Sequence, residues 1–196
     1  MTAALRRRGG SVAHLPVDAW DAPATPGERA VLATMHGPVL DVGCGPGRLV
    51  VALGEIGVPA LGVDTSPYAV DRTLGRGASA ICRSVFDRVP GEGRWRSVLL
   101  FDGNVGIGGD PVRILSRVAE LLAPAGVAYV EVNPPGTATR VEDVRLEVDD
   151  HVGPWFAWAW VGADELATLA TAAGLRLRQW LRIDGRFIAQ LAPAAS

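Results

Sequence analysis

Between Val39 and Leu49 the chain reads VLDVGCGPGRL, and this stretch restricts the possible folds more than any other. A short apolar run ends in an acid, Asp41, then breaks into glycines at alternate positions, Gly43, Gly45 and Gly47. In an open parallel sheet, ligands bind beyond the carboxyl ends of the strands, where the strand order reverses. A turn there must let the ligand approach the backbone, and only glycine offers no Cβ and accepts positive φ freely. The stretch is therefore expected to be a buried strand, a ligand-binding turn and the start of a helix.

The pattern around it fits the same architecture. Thr25-Pro26-Gly27-Glu28 has a capping Thr, a Pro at the first helical position and an acid at the third, and predicts a helix to about Met35. Strands are expected at PVLDV, VPALGVD, ASAICRSVF, RSVLLFD and GVAYVEV. Helices are expected from Gly47 to Ile56, from Ser66-Pro67 to Gly75 and from Asp110-Pro111 to Leu122. Short apolar strands alternating with helices imply parallel strands joined by crossover helices. After Pro135 the period changes: VEDVRLEVDD and WFAWAWVG alternate like a hairpin inserted after strand five. A helix from Ala163 to Ala173 follows, then LRLRQWLRI and RFIAQLA joined by Asp184-Gly185, a two-residue hairpin signal. The expected fold is α/β: a doubly wound, Rossmann-like, mostly parallel seven-stranded sheet with a terminal antiparallel hairpin and a β-hairpin insertion. Residues 1–24 read as an arm or lid, and 25–196 as one domain.

Spacing narrows the ligand. Dinucleotide folds use G-x-G-x-x-G/A, but the sixth position from Gly43 is Arg48, where a small residue is expected. An acid at the strand end suits a cationic ligand and repels a diphosphate. With Asp41-x-Gly43-x-Gly45-x-Gly47, and Asp64 closing the second strand, the chain resembles the class I S-adenosylmethionine (SAM) dependent methyltransferases. The resemblance covers about residues 30–133 and the terminal antiparallel pair. It implies SAM as cofactor, with Asp41, Gly43, Cys44, Gly45 and Gly47 at its amino-acid end and Asp64 with Thr65 at the ribose. It also implies Ser84 and Val85 at the adenine, where the family commonly has an Asp, and Asp102, Gly103 and Asn104 beside the sulfonium.

The acceptor is less legible. His14, Asn104 and His151 are candidate catalytic groups, and Asp18, Asp149 and Asp150 are acids in similar settings. Asn133 leaves the carboxyl end of strand five, within an NPPG that follows the wrong strand to mark base methylation. Trp155, Trp158 and Trp160 read first as packing against the sheet, and Cys44 and Cys82 as packing residues. No metal site is expected, since the two cysteines form no CxxC pair and no His cluster lies near.

A net charge of −2 supplies no field for a nucleic-acid backbone, and the Arg6-Arg7-Arg8 run reads as a solvated tail. There is no signal-peptide pattern and no stretch of the roughly 18–20 apolar residues a membrane span needs. A cytoplasmic enzyme acting on a small molecule is the reading these features favour. Two others stay open: a SAM-binding accessory or non-methylating SAM protein, and an NAD(P)-dependent oxidoreductase. Arg48 counts against the second, as does a chain whose 19 basic residues are all Arg, leaving no Tyr/Lys pair.

Overall fold

The computed structural model describes residues 3–14, 20–149 and 151–194. Its principal sheet contains the strands β3 (Val39–Val42), β4 (Ala60–Asp64), β5 (Ala80–Cys82), β6 (Trp95–Leu100), β7 (Leu122–Val132), β10 (Leu175–Ile183) and β11 (Arg186–Pro193). Their spatial order is β10-β11-β7-β6-β3-β4-β5; β11 runs antiparallel to both its neighbours, β10 and β7, and all the other adjacent pairs are parallel. The order reverses at β3, and the glycine turn leaves that strand's carboxyl end. The expected doubly wound sheet with its terminal antiparallel pair is what the chain forms.

Alternation along the strands sends side chains to two cores. Leu40, Val42, Val98, Leu100 and Val130 face Ile114, Leu115 and Val118 of helix α4 (Pro111–Leu121) and Leu166 of α5 (Ala163–Ala172). Val39, Leu99 and Ile188 face Leu32 of α1 (Pro26–Leu32) and Leu49 and Leu53 of α2 (Arg48–Glu55). Asp41 shares the second face, which turns it toward α1 and α2. Helix α1 carries the capping box expected at Thr25 and Glu28, but ends at Leu32 rather than Met35. Helix α3 (Pro67–Gly75) is capped by Ser66, whose hydroxyl accepts from the Ala69 N–H.

Three expectations change. The third strand has only three residues, because its ladder to β4 stops at Asp64↔Cys82; Ser84 and Val85 lie in the loop beyond. There the Ser84 hydroxyl accepts from the Phe86 N–H and closes a turn. Arg6-Arg7-Arg8 is not a solvated tail. Arg6 and Arg7 lie in β1 (Ala3–Arg7), which forms a hairpin with β2 (Val12–His14) and pairs with β8 (Arg140–Val148). Acids of β8 neutralise the run: Arg6 pairs with Glu147, Arg7 with Glu142 and Arg8 with Asp143. The inserted hairpin, β8 with β9 (His151–Trp160), thus grows into a four-stranded antiparallel sheet in the order β2-β1-β8-β9. Sequence periodicity could not show this, because β1 takes its register from a partner about 140 residues away.

Candidate functional site

The turn after β3 is held from three sides. Its Gly43 and Cys44 N–H groups donate to Val63 O at 2.8 and 3.2 Å, tying it to β4. Asn104 Nδ2 donates to Val42 O at 2.8 Å and to Gly43 O at 3.0 Å, tying it to the loop after β6. Thr73 Oγ1 donates to Gly45 O at 3.0 Å, tying it to α3. Gly43, Gly45 and Gly47 all have positive φ. Gly45 has φ +53°, and a Cβ built on it would meet nothing within 4 Å, so this residue faces open space. At Gly43 a Cβ would instead collide with Asn104. The turn is therefore packed at its base and open at its centre, the form a ligand cradle requires.

Asp64 borders the opening. One carboxylate oxygen accepts from the Gly45 N–H and the other from the Ser66 N–H, both at 2.9 Å. Thr65 beside it is exposed. Cys44 lies in the turn, but its thiol is buried against Gly62, and burial beside Asp41 and Asp64 pushes its ionisation up. It is a packing side chain. Across the cleft, Gly103 also has positive φ and space where a Cβ would stand. Among the described residues, the Val85 N–H donates no hydrogen bond, while its carbonyl accepts from Arg117 Nε at 2.9 Å.

Asp41 is buried at the strand end. Desolvation, reinforced by Asp102, Asp64 and Glu28 and opposed by Arg48, raises its carboxyl from 3.8 to about 7. Beside it is an ion cluster that the sequence did not announce. Arg48 donates to Glu28 at 2.8 Å and to both oxygens of Asp102 at 2.7 and 2.9 Å. Arg186 joins Glu28 at 2.7 Å and Glu131 at 3.3 Å. Glu131 in turn accepts from the Asp102 N–H at 2.7 Å, fixing Asp102 at φ +56°. Burial alone would raise Glu28, but Arg48, the Thr25 N–H and Arg186 bring it down to about 2. Glu28 and Arg48 are twenty residues apart on different helices, and Arg186 follows the last hairpin turn. No local period links them.

The expected catalytic candidates fare unevenly. Asn104 is at the site, with its amide donors committed to the glycine turn. His14 ends β2, opposite Ala4. His151 is exposed at the start of β9, seven residues from Trp158. At roughly 3.3 Å per residue this places it about 20 Å along the strand from Trp158. Asn133 does not point into the site, since its side chain donates to Val161 O at 3.3 Å. Asp149 closes β8's turn with φ +48°, and Asp18 and Asp150 lie outside the described residues.

The comparisons with known proteins agree with this geometry. A family model described as a methyltransferase domain matches residues 22–179, and the chain belongs to that family. Its fold is shared with a SAM-dependent methyltransferase from Bacteroides fragilis in complex with S-adenosyl-L-homocysteine (SAH), at TM-score 0.85 and 22% identity over 100% of this chain and 89% of that one. The CcbJ methyltransferase of Streptomyces caelestis aligns at TM-score 0.69 and 19% identity, covering 90% of this chain and 92% of the other. A Burkholderia thailandensis 1,6-didemethyltoxoflavin-N1-methyltransferase aligns at TM-score 0.67 and 20% identity, covering 91% and 82%. No curated protein matches the sequence. The protein is thus a member of a methyltransferase family, with the fold of the SAH-bound enzymes it resembles.

Proposed function

We propose that the enzyme methylates a small-molecule acceptor, and that the glycine turn with Asp41 and Asp64 holds the cofactor. The observation that carries this reading is the charge balance around the open centre of the turn. Among the described residues, the five carboxylates Asp41, Asp64, Asp102, Glu28 and Glu131 gather around two guanidiniums, Arg48 and Arg186, which leaves an excess of carboxylates. Such a site favours an ammonium or sulfonium and repels a pyrophosphate. In this reading Asp41 and the backbone of Gly43, Cys44, Gly45 and Gly47 receive the amino-acid end. Asp64 keeps lone pairs for ribose hydroxyls, with Thr65 beside it, and Ser84 and the Val85 N–H border the adenine. Asp102, Gly103 and Asn104 lie nearest the acceptor.

SAM supplies a methyl group already activated for in-line displacement by its sulfonium. What remains for the chain is to align the acceptor and exclude water. A general base adds roughly 10²–10⁴-fold where the acceptor must lose a proton, and transfer without one is consistent with the site described above. We further take residues 25–196 as the catalytic domain and residues 1–24 as an N-terminal arm, whose described part adds β1 and β2 to the second sheet and reaches α3 through Asp21. Asp21 is held there by Arg72 at 2.9 Å and Arg76 at 2.8 Å. No helix among the described residues is long and apolar enough to cross a membrane. Free Cys44 and Cys82 accord with work in the cytoplasm, and the net charge of −2 with a partner other than nucleic acid.

Thermal denaturation with SAM, SAH, NAD and NADP at equal concentration tests the cofactor assignment. A ligand at 100 times its Kd adds about 2.7 kcal/mol. Stabilisation is expected from SAM and SAH alone, and Asp64→Ala should abolish it, because the change removes both the ribose acceptor and the brace on Gly45. A shift with the nicotinamide dinucleotides instead would overturn the assignment.

A further inference from the structure

The second sheet meets the loop after β6 through the Ile107–Trp158 bridge, and its two faces differ in chemistry. Cross-strand partners share a face, so Arg7 with Val144, Val144 with Phe156, Glu142 with Trp158 and Arg140 with Trp160 lie together. The reverse face carries the ion pairs of Arg6, Arg8 and Arg145. On the first face Val144 is fully buried, while Phe156 keeps 38% of its surface exposed. Phe156 meets Trp158 edge-to-face, with ring centroids 6.3 Å apart.

Trp158 carries this face to the site. Its ring lies against Gly106, where a Cβ would come within 2.8 Å of the indole Nε1. Gly106 ends the short 3-10 turn that begins at Asn104, the residue bonded to the glycine turn. Beside the rings, the Arg7 and Arg140 guanidiniums lie over Trp160, 5.1 and 4.8 Å from its centroid. Both are paired with the one carboxylate of Glu142, at 2.8 and 3.2 Å. Arg7 Nε and Glu142 Oε2 are buried and close, but not aligned for a hydrogen bond. Among the described residues, two cations therefore share the one carboxylate of Glu142 beside an aromatic wall, in a ratio that favours an added negative group.

We propose, on the basis of the methyltransferase reading, that the acceptor is a planar aromatic anion. Its ring packs on Phe156 and Trp158, and its negative group faces Arg7 and Arg140. A saturated acceptor gains no ring contact there, and a cationic one is repelled.

Calorimetric titration of the full chain, with and without SAH, tests this, using 3-hydroxy-2-naphthoate and its neutral counterpart 2-naphthol as probes. The naphthoate should bind saturably and at least tenfold more tightly than the naphthol. The Arg7→Gln, Arg140→Gln double variant should erase that preference and leave naphthol binding unchanged. Trp158→Leu should weaken both probes about tenfold, and Trp158→Phe, which keeps a ring against Gly106, should restore much of the loss. SAH affinity should hold in every variant. Equal binding of the two probes, no binding of either, or indifference to Trp158→Leu would overturn the acceptor class while leaving SAH binding intact. Failure of SAH to bind the parent protein would instead strike at the cofactor assignment itself.

Discussion

Asp41 and Glu28 are both buried carboxylates, yet their surroundings push them in opposite directions. Asp41 has three like charges near it and one guanidinium, and its carboxyl stands near 7 against an ordinary 3.8. A raised folded-state value means that the native protein holds the proton longer than the unfolded chain. Asp41 therefore lowers stability as pH climbs from about 4 to about 7, and Asp41→Asn should flatten that part of a denaturation series. A ligand ammonium would favour the ionised form, so SAH affinity should rise by up to about tenfold per pH unit toward pH 7 and then level off. Asp41→Asn should lose that dependence, and calorimetry in buffers of different ionisation enthalpy would show the released proton. Glu28 is the opposite case. Its value of about 2 lies below the ordinary 4.5, so its contribution is complete above about 4.5 and lost as pH falls toward 2. Glu28→Ala would leave Arg48, whose side chain is 9% exposed, without a principal partner. Breaking a buried pair from one side costs about 3–5 kcal/mol, which urea denaturation at neutral pH should register.

The inserted sheet is joined to the catalytic sheet through close backbone contact. Strand β9 meets the loop after β6 by a bridge between Ile107 and Trp158. Gly106 is there because nothing larger fits: a Cβ would lie 2.0 Å from Ala159 O. Gly109 is similarly confined by Ala157. Gly106→Ala should therefore push β9 off its seat without touching the glycine turn. The expected result is an acceptor KM raised tenfold or more, with SAH affinity changed less than twofold. Comparable losses of both would mean that the sheet also supports the cofactor side. The spacing of the insertion's strands was legible, since β8 and β9 alternate in sequence. Its third and fourth strands were not, because AALRR and VAH have no period of their own and become strands only when β8 offers an edge.

The seven-stranded sheet separates two apolar layers, and both must form for the strand ends to meet. Leu115 of α4 and Leu53 of α2 are each fully buried, one in either layer. Replacing either by Ala should cost about 2–5 kcal/mol. If the two layers fold as one unit, each substitution should shift a single transition seen identically by far-ultraviolet dichroism and tryptophan fluorescence. Separate transitions would show that the layers melt independently.

What the sequence determined by itself was local and periodic: the strand and helix alternation, the glycine turn, the acids Asp41 and Asp64 that end two strands, and the Asp-Gly hairpin. These are legible because backbone sterics and burial act over a few residues. The tertiary structure decided what depends on distant partners. It joined Glu28, Arg48, Asp102, Glu131 and Arg186 into one ion cluster, built β1 onto β8, shortened β5 and turned Trp158 toward Gly106. Ion pairs and strand ladders form between groups that only the folded chain brings within a few ångströms, and their energies depend on burial that no stretch of sequence records.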